Sequence, residues 1–330
     1  MEFSITQQPP PPARGGTELM YDRLKDAFYD QKLFGQVQLV LSQHQPLDGR
    51  PAILWLHDLP NQPGPVSALA NGGWKRYAKV VFVSHWQREM FHLMYRDMPL
   101  SHTTVIYNGI DTAESPTKIP NEVPSIFRLM YASTPHRGLE LLPTIIDKTA
   151  ERIPKTSFTC DVFSSFKLYG RPDDDKQFQA VFDAVRNNPR MAYRGTVSNA
   201  QLRKFMRESH ILVYPCIYQE TFCLTMVEAM TEGMFVVAPA YGAIPEVGGR
   251  WVHSFPMVDN RDLFIEQMVD TLTDVIKNWS LTTGGMGETH RVYREEQMKY
   301  MKDSFQFRVT PWIRLYLQVL REHASPNSTV

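Results

Sequence analysis

Two glutamates eight positions apart are the side chains best placed for chemistry in this sequence. Glu220 precedes a predicted amphipathic helix that contains Glu228, and both follow the strand end at Tyr214. Such carboxylates can accept hydrogen bonds from the hydroxyl groups of a sugar or a ribose. The amides of residues 222–224 begin the helix, and a helix N-terminus attracts phosphate. The pattern favours a ligand with hydroxyl groups and a diphosphate, although glutamates at this spacing also occur on solvated helices.

One basic residue is placed to meet that diphosphate. Arg137 follows the predicted strand Phe127–Ala132. A guanidinium group forks onto phosphate oxygens well, whereas the alternative is an arginine that caps a surface loop.

The first third of the chain adds three more candidate positions. Gly15 and Gly16 open a predicted helix, where missing side chains let the backbone approach a ligand closely. His57 directly follows the predicted strand Ala52–Leu56 and is expected to point into a cleft. His85 lies after the next strand, at the start of a helix, and is a candidate acceptor contact. A plain turn and ordinary strand-end histidines remain the alternatives.

These residues stand between short apolar runs that alternate with helical patterns. That alternation predicts an α/β protein with parallel sheets, whose carboxyl edges gather loops such as those just described. The predicted strands are Phe3–Ile5, Val37–Leu41, Ala52–Leu56, Lys79–Ser84, Thr103–Tyr107, Phe127–Ala132, Ser157–Phe163, Met191–Arg194, His210–Tyr214, Met234–Ala238 and Trp251–Ser254. The predicted helices include Thr17–Phe28, Leu139–Arg152, Asn199–Glu208, Leu224–Thr231, Leu263–Ile276, Glu288–Ser304 and Pro311–Leu320.

The amino-acid composition argues against several classes of function. The chain has 330 residues, with 35 basic and 35 acidic side chains, so a neutral net charge gives no reason to expect nucleic acid as a partner. Its three cysteines lack the spacing of a disulfide framework or a zinc site. No stretch has the length of a membrane span, and the start lacks the pattern of a signal peptide. We therefore expect a cytoplasmic protein without a transmembrane segment, while peripheral membrane contact stays open.

The segment 112–124 is rich in proline and charge, as linkers are. The sequence therefore predicts a short first domain over 1–111, a second domain over 112–310, and a closing helix and tail over 311–330. The closing helix is expected to pack across both domains.

The block 214–246 resembles the signature of a known family. In order it contains Tyr-Pro, Glu220, seven residues, Glu228-Ala-Met, Gly233 and Tyr241-Gly-Ala-Ile-Pro-Glu246. Asn108-Gly-Ile-Asp111 matches a further family motif at the domain junction. On these residues the chain resembles the retaining glycosyltransferases of the two-domain GT-B fold, in the large family usually numbered 4. Ala243 departs from the pattern, since a glycine is common there.

The resemblance implies a fold and a set of roles. The fold has two Rossmann-like parallel-sheet domains that face a cleft, with C-terminal helices packing back across it. Glu220, His57 and Arg137 are the implied catalytic residues. The implied donor-binding residues are Gly15, Gly16, Arg137, Gly195, Thr196, Val197, Glu220, Thr221, Phe222, Cys223, Leu224 and Glu228.

The implied reaction moves a sugar from a nucleotide diphosphate sugar to an acceptor hydroxyl, with retention at the anomeric carbon and without a metal or a further cofactor. A glycan, a lipid-linked sugar or a protein-linked sugar can each be the acceptor. Two alternatives keep the fold: a sugar-nucleotide epimerase or phosphorylase, and a weak or inactive sugar-nucleotide-binding scaffold. The Glu228-Ala-Met block argues against the epimerase and the phosphorylase. The resemblance also implies a second cation a few positions before Arg137, where this chain offers only His136 or the hydroxyls of Ser133 and Thr134. This missing cation and the short first domain support the scaffold.

Overall fold

Two parallel sheets form the framework of the protein. The computed structural model describes residues 15–42, 45–113, 115–116, 124–281 and 287–324, so the predicted strand Phe3–Ile5 lies outside the described residues. The first sheet has the order β1-β2-β3-β4 and the second the order β10-β9-β8-β5-β6-β7, with parallel pairing throughout. The strands are β1 Gln38–Leu41, β2 Ala52–Leu56, β3 Lys79–Phe82, β4 Thr103–Val105, β5 Phe127–Ala132, β6 Phe158–Phe163, β7 Met191–Gly195, β8 Ile211–Val213, β9 Phe235–Ala240 and β10 Val252–Pro256.

Helices connect the strands and cover the sheets. Each parallel crossover needs a connection of this kind, because the chain must return to the same edge before the next strand begins. The helices are α1 Gly16–Ala27, α2 Gln31–Phe34, α3 Pro63–Leu69, α4 His85–Met94, α5 Leu142–Arg152, α6 Gln179–Asn187, α7 Asn199–Glu208, α8 Leu224–Thr231, α9 Ile244–Gly248, α10 Arg261–Leu281, α11 Gly287–Phe305 and α12 Thr310–His323. Short 3-10 turns lie at 70–76, 100–102, 139–141, 166–169, 172–178 and 249–251.

Strand β2 shows how apolar side chains on one strand fill the core on both faces of the first sheet. All five of its residues are buried, as expected for a strand covered on both faces. Ile53 and Trp55 point into the larger core, whereas Leu54 and Leu56 belong to the cluster on the opposite face. This alternation has the period of two that a pleated strand imposes.

The C-terminal helix packs on the first sheet. Trp312 lies with its ring centroid 4.4 Å from that of Trp55, and Tyr316 lies 5.0 Å from Phe28. The chain passes between the two halves near Ile110 and again near Phe305. These two crossings lie side by side, because the Ile110 N–H donates to the Phe305 carbonyl at 2.7 Å. The predicted division at residues 111 and 310 is not tested by these contacts and stays a prediction.

In the second sheet, β5 lies in the middle, between β8 and β6. The chain moves outward from β5 through β6 and β7, and then resumes on the other side with β8. This reversal is a topological switch point, where open α/β sheets form a crevice at the carboxyl ends of the strands. The predicted fold of two parallel-sheet α/β domains is confirmed.

Helix α8 lies directly behind this crevice and is buried on nearly all sides. Every residue from Met226 to Thr231 is buried, including the Glu228 carboxylate. A helix that is apolar all round must sit inside the protein, so its one acidic side chain needs a specific partner.

Candidate functional site

A cavity lies between the carboxyl ends of the two sheets. From the second sheet it is lined by Ala132, Phe163, Gly195 and Tyr214, which end or directly follow β5, β6, β7 and β8. From the first sheet it is lined by residues after β2 and β4. Chain segments far apart in sequence therefore meet at one site because parallel strands all end at the same edge.

Most of the residues singled out by sequence meet in this cavity. Its lining includes Gly16, His57, Arg137, Gly195, Thr196, Val197, Glu220, Thr221, Phe222, Cys223, Leu224 and Glu228. Gly15 directly precedes this set, and a Cβ at its position would lie 2.5 Å from the Tyr169 ring.

Arg137 and Glu220 form the central ion pair of the cavity wall. Arg137 Nε donates to Glu220 Oε1 at 2.7 Å, and Arg137 Nη1 donates to Thr134 Oγ1 at 2.6 Å. Tyr214 also donates its hydroxyl to Glu220 Oε1, at 2.6 Å. The two charged side chains are 17% and 9% exposed, so they hold each other in place away from bulk water. One oxygen of Glu220 thus already accepts hydrogen bonds from Arg137 and Tyr214.

The charge states near Arg137 follow from this pairing. Burial by itself lowers the pKa of Arg137, but the Glu220 carboxylate, together with smaller effects of nearby groups such as Tyr214, outweighs burial and holds that pKa well above its ordinary value. Burial and the neighbouring Arg137 charge lower the pKa of His136 to about 4. His136 is therefore neutral at pH 7 in the absence of a ligand. The hydroxyls of Ser133 and Thr134 do line the cavity.

Gly138 explains why the Arg137 loop has its sequence. Its backbone has φ +88°, and a Cβ there would lie 1.9 Å from the Pro215 carbonyl oxygen. Only glycine accepts both the left-handed conformation and this close approach. The loop can therefore bring Arg137 against the segment that carries Tyr214 and Glu220.

Glu228 is reached from the first half of the chain. Arg23 on α1 lies with Nη2 3.4 Å from Glu228 Oε1, and its Nη1 donates to the Gly109 carbonyl at 2.6 Å. Glu228 is 5% exposed, so this pairing offsets part of the cost of burying its charge. The sequence analysis did not single out Arg23.

At the start of α8, a strained backbone conformation lies beside backbone N–H groups that have no partner within the helix. Cys223, the residue before the helix, has φ +68°, which is unusual for a residue with a side chain. Residues held in such conformations cluster at binding sites, where the surrounding structure fixes them. Thr221 donates its hydroxyl to the His57 carbonyl at 2.7 Å, which joins this segment to the first half.

His57 contributes polar atoms that lack a partner within the described residues. Both ring nitrogens are buried without a well-formed hydrogen bond, and so is Oδ1 of Asn108 beside it. Burial lowers the pKa of His57 to about 3, and the nearby Asn108 side chain opposes this shift. The ring is therefore neutral at pH 7. Buried polar atoms without partners are costly, so a bound ligand is a natural source of the missing bonds.

Sequence reasoning missed Asp58 and did not treat Asn108 as a site residue. Both line the cavity, and burial raises the pKa of Asp58. Each follows a strand of the first sheet at its carboxyl end, a position that indicates a site once the order of the strands is known. Tyr169 is a further lining residue that was missed, and it lies in a short turn with no such signal.

One candidate lies away from the cavity lining. The His85 side chain is exposed, and its ring meets Tyr107 edge-on with centroids 6.0 Å apart. His85 thus lies at the contact between the two halves.

Comparison with solved structures defines the class of this fold. HepE from Anabaena, in complex with UDP and glucose, matches with a TM-score of 0.60 at 18% identity, covering 83% of this chain and 72% of that one. A glycosyltransferase from Rickettsia africae matches with a TM-score of 0.62 at 15% identity, covering 99% of this chain and 85% of that one. The protein therefore has the GT-B fold of glycosyltransferases.

Part of the sequence matches a protein-family model. Residues 162–291 match the family model described as Glycosyl transferases group 1. The gpi3 subunit of phosphatidylinositol N-acetylglucosaminyltransferase from Schizosaccharomyces pombe is 27% identical over 154 residues, which are 47% of this chain. The match spans 30% of that relative's length. Among the described helices, none combines the length and apolar character needed to cross a bilayer.

Proposed function

We propose that this protein transfers a sugar from a nucleotide diphosphate sugar to an acceptor hydroxyl, with retention at the anomeric carbon. One observation carries the proposal. Arg137, Glu220 and the N-terminal end of α8 line one cavity at the switch point of the second sheet. A cation and free helix amides suit a diphosphate, and an adjacent carboxylate suits the hydroxyl groups of a sugar.

In this proposal the second half of the chain binds the donor. Arg137 and the amides leading to Leu224 stabilise the negative charge that grows on the diphosphate as the glycosidic bond breaks. Glu220 accepts from sugar hydroxyls through the oxygen that Arg137 and Tyr214 leave free, and Glu228 accepts from the ribose. Gly195, Thr196 and Val197 line the far end of the cavity, where backbone groups meet the base.

The acceptor oxygen forms its bond to the anomeric carbon while the bond to the β-phosphate oxygen breaks. The bonding electrons leave with the diphosphate, and the acceptor proton goes to a phosphate oxygen or a nearby base. Both same-face return and double displacement give retention. The bonds from Arg137 and Tyr214 to Glu220 favour a holding role for this carboxylate over a nucleophilic one.

We propose the donor and the acceptor by their chemical class. HepE is described with UDP and glucose, and the gpi3 relative is named for N-acetylglucosamine transfer, so UDP-sugars are the first donors to test. The acceptor class is a glycan, a lipid-linked sugar or a protein-linked sugar. We propose that no metal or further cofactor takes part, since Arg137 supplies the positive charge, and that the protein is cytoplasmic, since all three cysteines are free and buried.

Ligand-induced thermal stabilisation tests the donor site. We expect UDP, UDP-glucose or UDP-N-acetylglucosamine to raise the melting temperature in the presence of EDTA, by an amount that grows with ligand concentration. Substitution Arg137→Ala is expected to abolish the shift, and Arg137→Lys to restore part of it. Arg186→Ala is the matched control, because that arginine is exposed and pairs with Asp183.

Two outcomes would overturn the proposal. Stabilisation of Arg137→Ala equal to that of Arg186→Ala would remove the diphosphate assignment. A product whose anomeric configuration is inverted, as read by NMR, would remove retention.

A second candidate function is a sugar-nucleotide-binding scaffold without turnover. Arg137 is the one arginine or lysine among the described residues that line the cavity, which favours this alternative. Binding of UDP-sugars without hydrolysis or transfer to any acceptor class would support it. Release of UDP that depends on Glu220 would exclude it.

A further inference from the structure

The carboxylate of Glu246 joins the two halves of the molecule. Oε1 accepts from the His85 N–H at 2.8 Å and from the Tyr107 hydroxyl at 2.8 Å, and Oε2 accepts from the Trp86 N–H at 2.7 Å. Glu246 lies on α9 beside the second sheet, whereas its three donors lie in the first half of the chain. A half-buried acid thus contacts the first half through three hydrogen bonds at once.

Electrostatics favour this contact. Helix α4 begins at His85, and its N-terminal amides carry partial positive charge. Ser84 already caps this helix by accepting from the Gln87 N–H. Glu246 satisfies two further amides of the same turn, so a side chain from the second half completes the cap.

The loop that carries Glu246 also holds Glu220. The Ala243 N–H donates to the Glu220 carbonyl at 2.7 Å. Gly242 has φ +63°, and a Cβ there would lie 2.5 Å from the same carbonyl oxygen. One short segment therefore fixes the backbone of the central acid and reaches across to the first half.

Tyr107 provides a second connection to the cavity. Its ring centroid lies 6.0 Å from that of Phe222 and 5.8 Å from that of Phe305. Phe222 lines the cavity next to the strained Cys223. Burial and the Glu246 carboxylate raise the pKa of Tyr107, so its hydroxyl remains a donor at pH 7.

We propose that Glu246 and Tyr107 are positioning residues that seat the first half against the donor site. Their contacts set the wall formed by His57 and Asp58 against Glu220 and the start of α8, so the acceptor oxygen meets the sugar in one geometry. Donor binding needs little of this contact, whereas transfer requires it. This inference rests on the proposed function.

Enzyme kinetics separate positioning from binding. For Glu246→Gln we expect UDP affinity within about threefold of wild type, while turnover of the UDP-sugar falls at least tenfold, because misplacing reacting groups lowers kcat more than ground-state binding. Tyr107→Phe removes one of the three bonds, so its loss of turnover is smaller. Glu296→Gln is the matched control, since that glutamate is exposed and pairs with Arg250.

Hydrogen–deuterium exchange provides a readout that does not need turnover. In Glu246→Gln we expect faster exchange at residues 84–88 and also at 56–58 and 221–225, where Thr221 meets the His57 carbonyl. Faster exchange confined to residues 84–88 would mean that Glu246 merely caps α4, and would overturn the inference. Unchanged turnover in this variant would overturn it as well. Failure of wild-type protein to bind any UDP-sugar would instead reject the proposed function.

Discussion

The two walls of the cavity differ in how their polar groups are satisfied. On the second-sheet wall, Arg137, Glu220, Tyr214 and Thr134 hydrogen-bond to one another. On the first-sheet wall, the two ring nitrogens of His57 and Oδ1 of the adjacent Asn108 have no well-formed hydrogen bond among the residues that the structure describes.

This difference shows which wall of the cavity is preorganised for a ligand. The second-sheet wall is fixed by its own bonds, so it can present charge to a diphosphate with little rearrangement. The first-sheet wall keeps hydrogen-bonding capacity that a ligand can use, at a cost to stability while that capacity is unused. We therefore expect substitutions on the second wall to affect folding and donor binding together, and those on the first wall to affect them separately.

The largest effect should come from Gly138→Ala on the second wall. The new methyl group would overlap the Pro215 carbonyl in a left-handed backbone conformation, which together cost about 3 kcal/mol of unfolding free energy. Gly170→Ala is the matched control: Gly170 also has a positive φ, +68°, but open space around it, so about 1 kcal/mol is expected. Chemical denaturation measures both. Equal losses in the two variants would show that the close approach to Pro215 is not needed.

The pH dependence of stability tests the first wall. The pKa of His57 is about 3 in the folded protein and 6.5 ordinarily, so between these values the unfolded chain binds the extra proton. Stability is then lost as pH falls, by about 2 kcal/mol between pH 7 and pH 5 for this one group.

Comparison with a variant isolates that contribution. In His57→Asn the loss on acidification should be smaller than in wild type by this amount. Urea unfolding at a series of pH values gives the result. Parallel pH profiles for wild type and His57→Asn would contradict a buried neutral imidazole.

A moderate effect is expected where the first half supports a donor residue. Arg23→Met removes the cation beside Glu228 and the bond to the Gly109 carbonyl. We expect UDP affinity to fall about tenfold, since a hydrogen bond to a charged group is typically worth over 1 kcal/mol. Arg96→Met, at an exposed arginine, serves as the control in the same titration. Unchanged affinity in Arg23→Met would mean that Glu228 is placed by α8 alone.

The smallest effect is expected at Ala243, where the family pattern commonly has a glycine. Its φ is −80°, which suits alanine, and its side chain is buried. Ala243→Gly should lower the unfolding free energy by about 1 kcal/mol through unfolded-state entropy and a lost methyl group. Turnover should stay at the wild-type value, and a gain in turnover would indicate that glycine serves the site itself.

Sequence patterns gave the strands and the second wall with good accuracy. The predicted strands Ala52–Leu56 and Phe127–Ala132 and the helices Asn199–Glu208 and Leu224–Thr231 agree with the structure residue for residue. Local apolar periodicity determines such elements, because each must bury one face or be covered on both. Arg137 and Glu220 were found because they stand in local motifs at strand and helix ends.

The first wall and the partners of charged groups depended on tertiary structure. Short polar residues after strands, such as Asp58 and Asn108, signal a site only once the order of the strands shows which ends meet. Helix α2 was not predicted, since four residues carry no periodicity.

What the sequence determined by itself was the α/β class, most of the element bounds and the residue types that suit a sugar nucleotide, because these depend on local patterns. The tertiary structure decided that Arg23 meets Glu228, that one oxygen of Glu220 is occupied, and that Glu246 reaches the start of α4. These pairs are between 83 and 205 positions apart in sequence. These contacts follow from how the two sheets and the helices around them pack, which no local pattern contains.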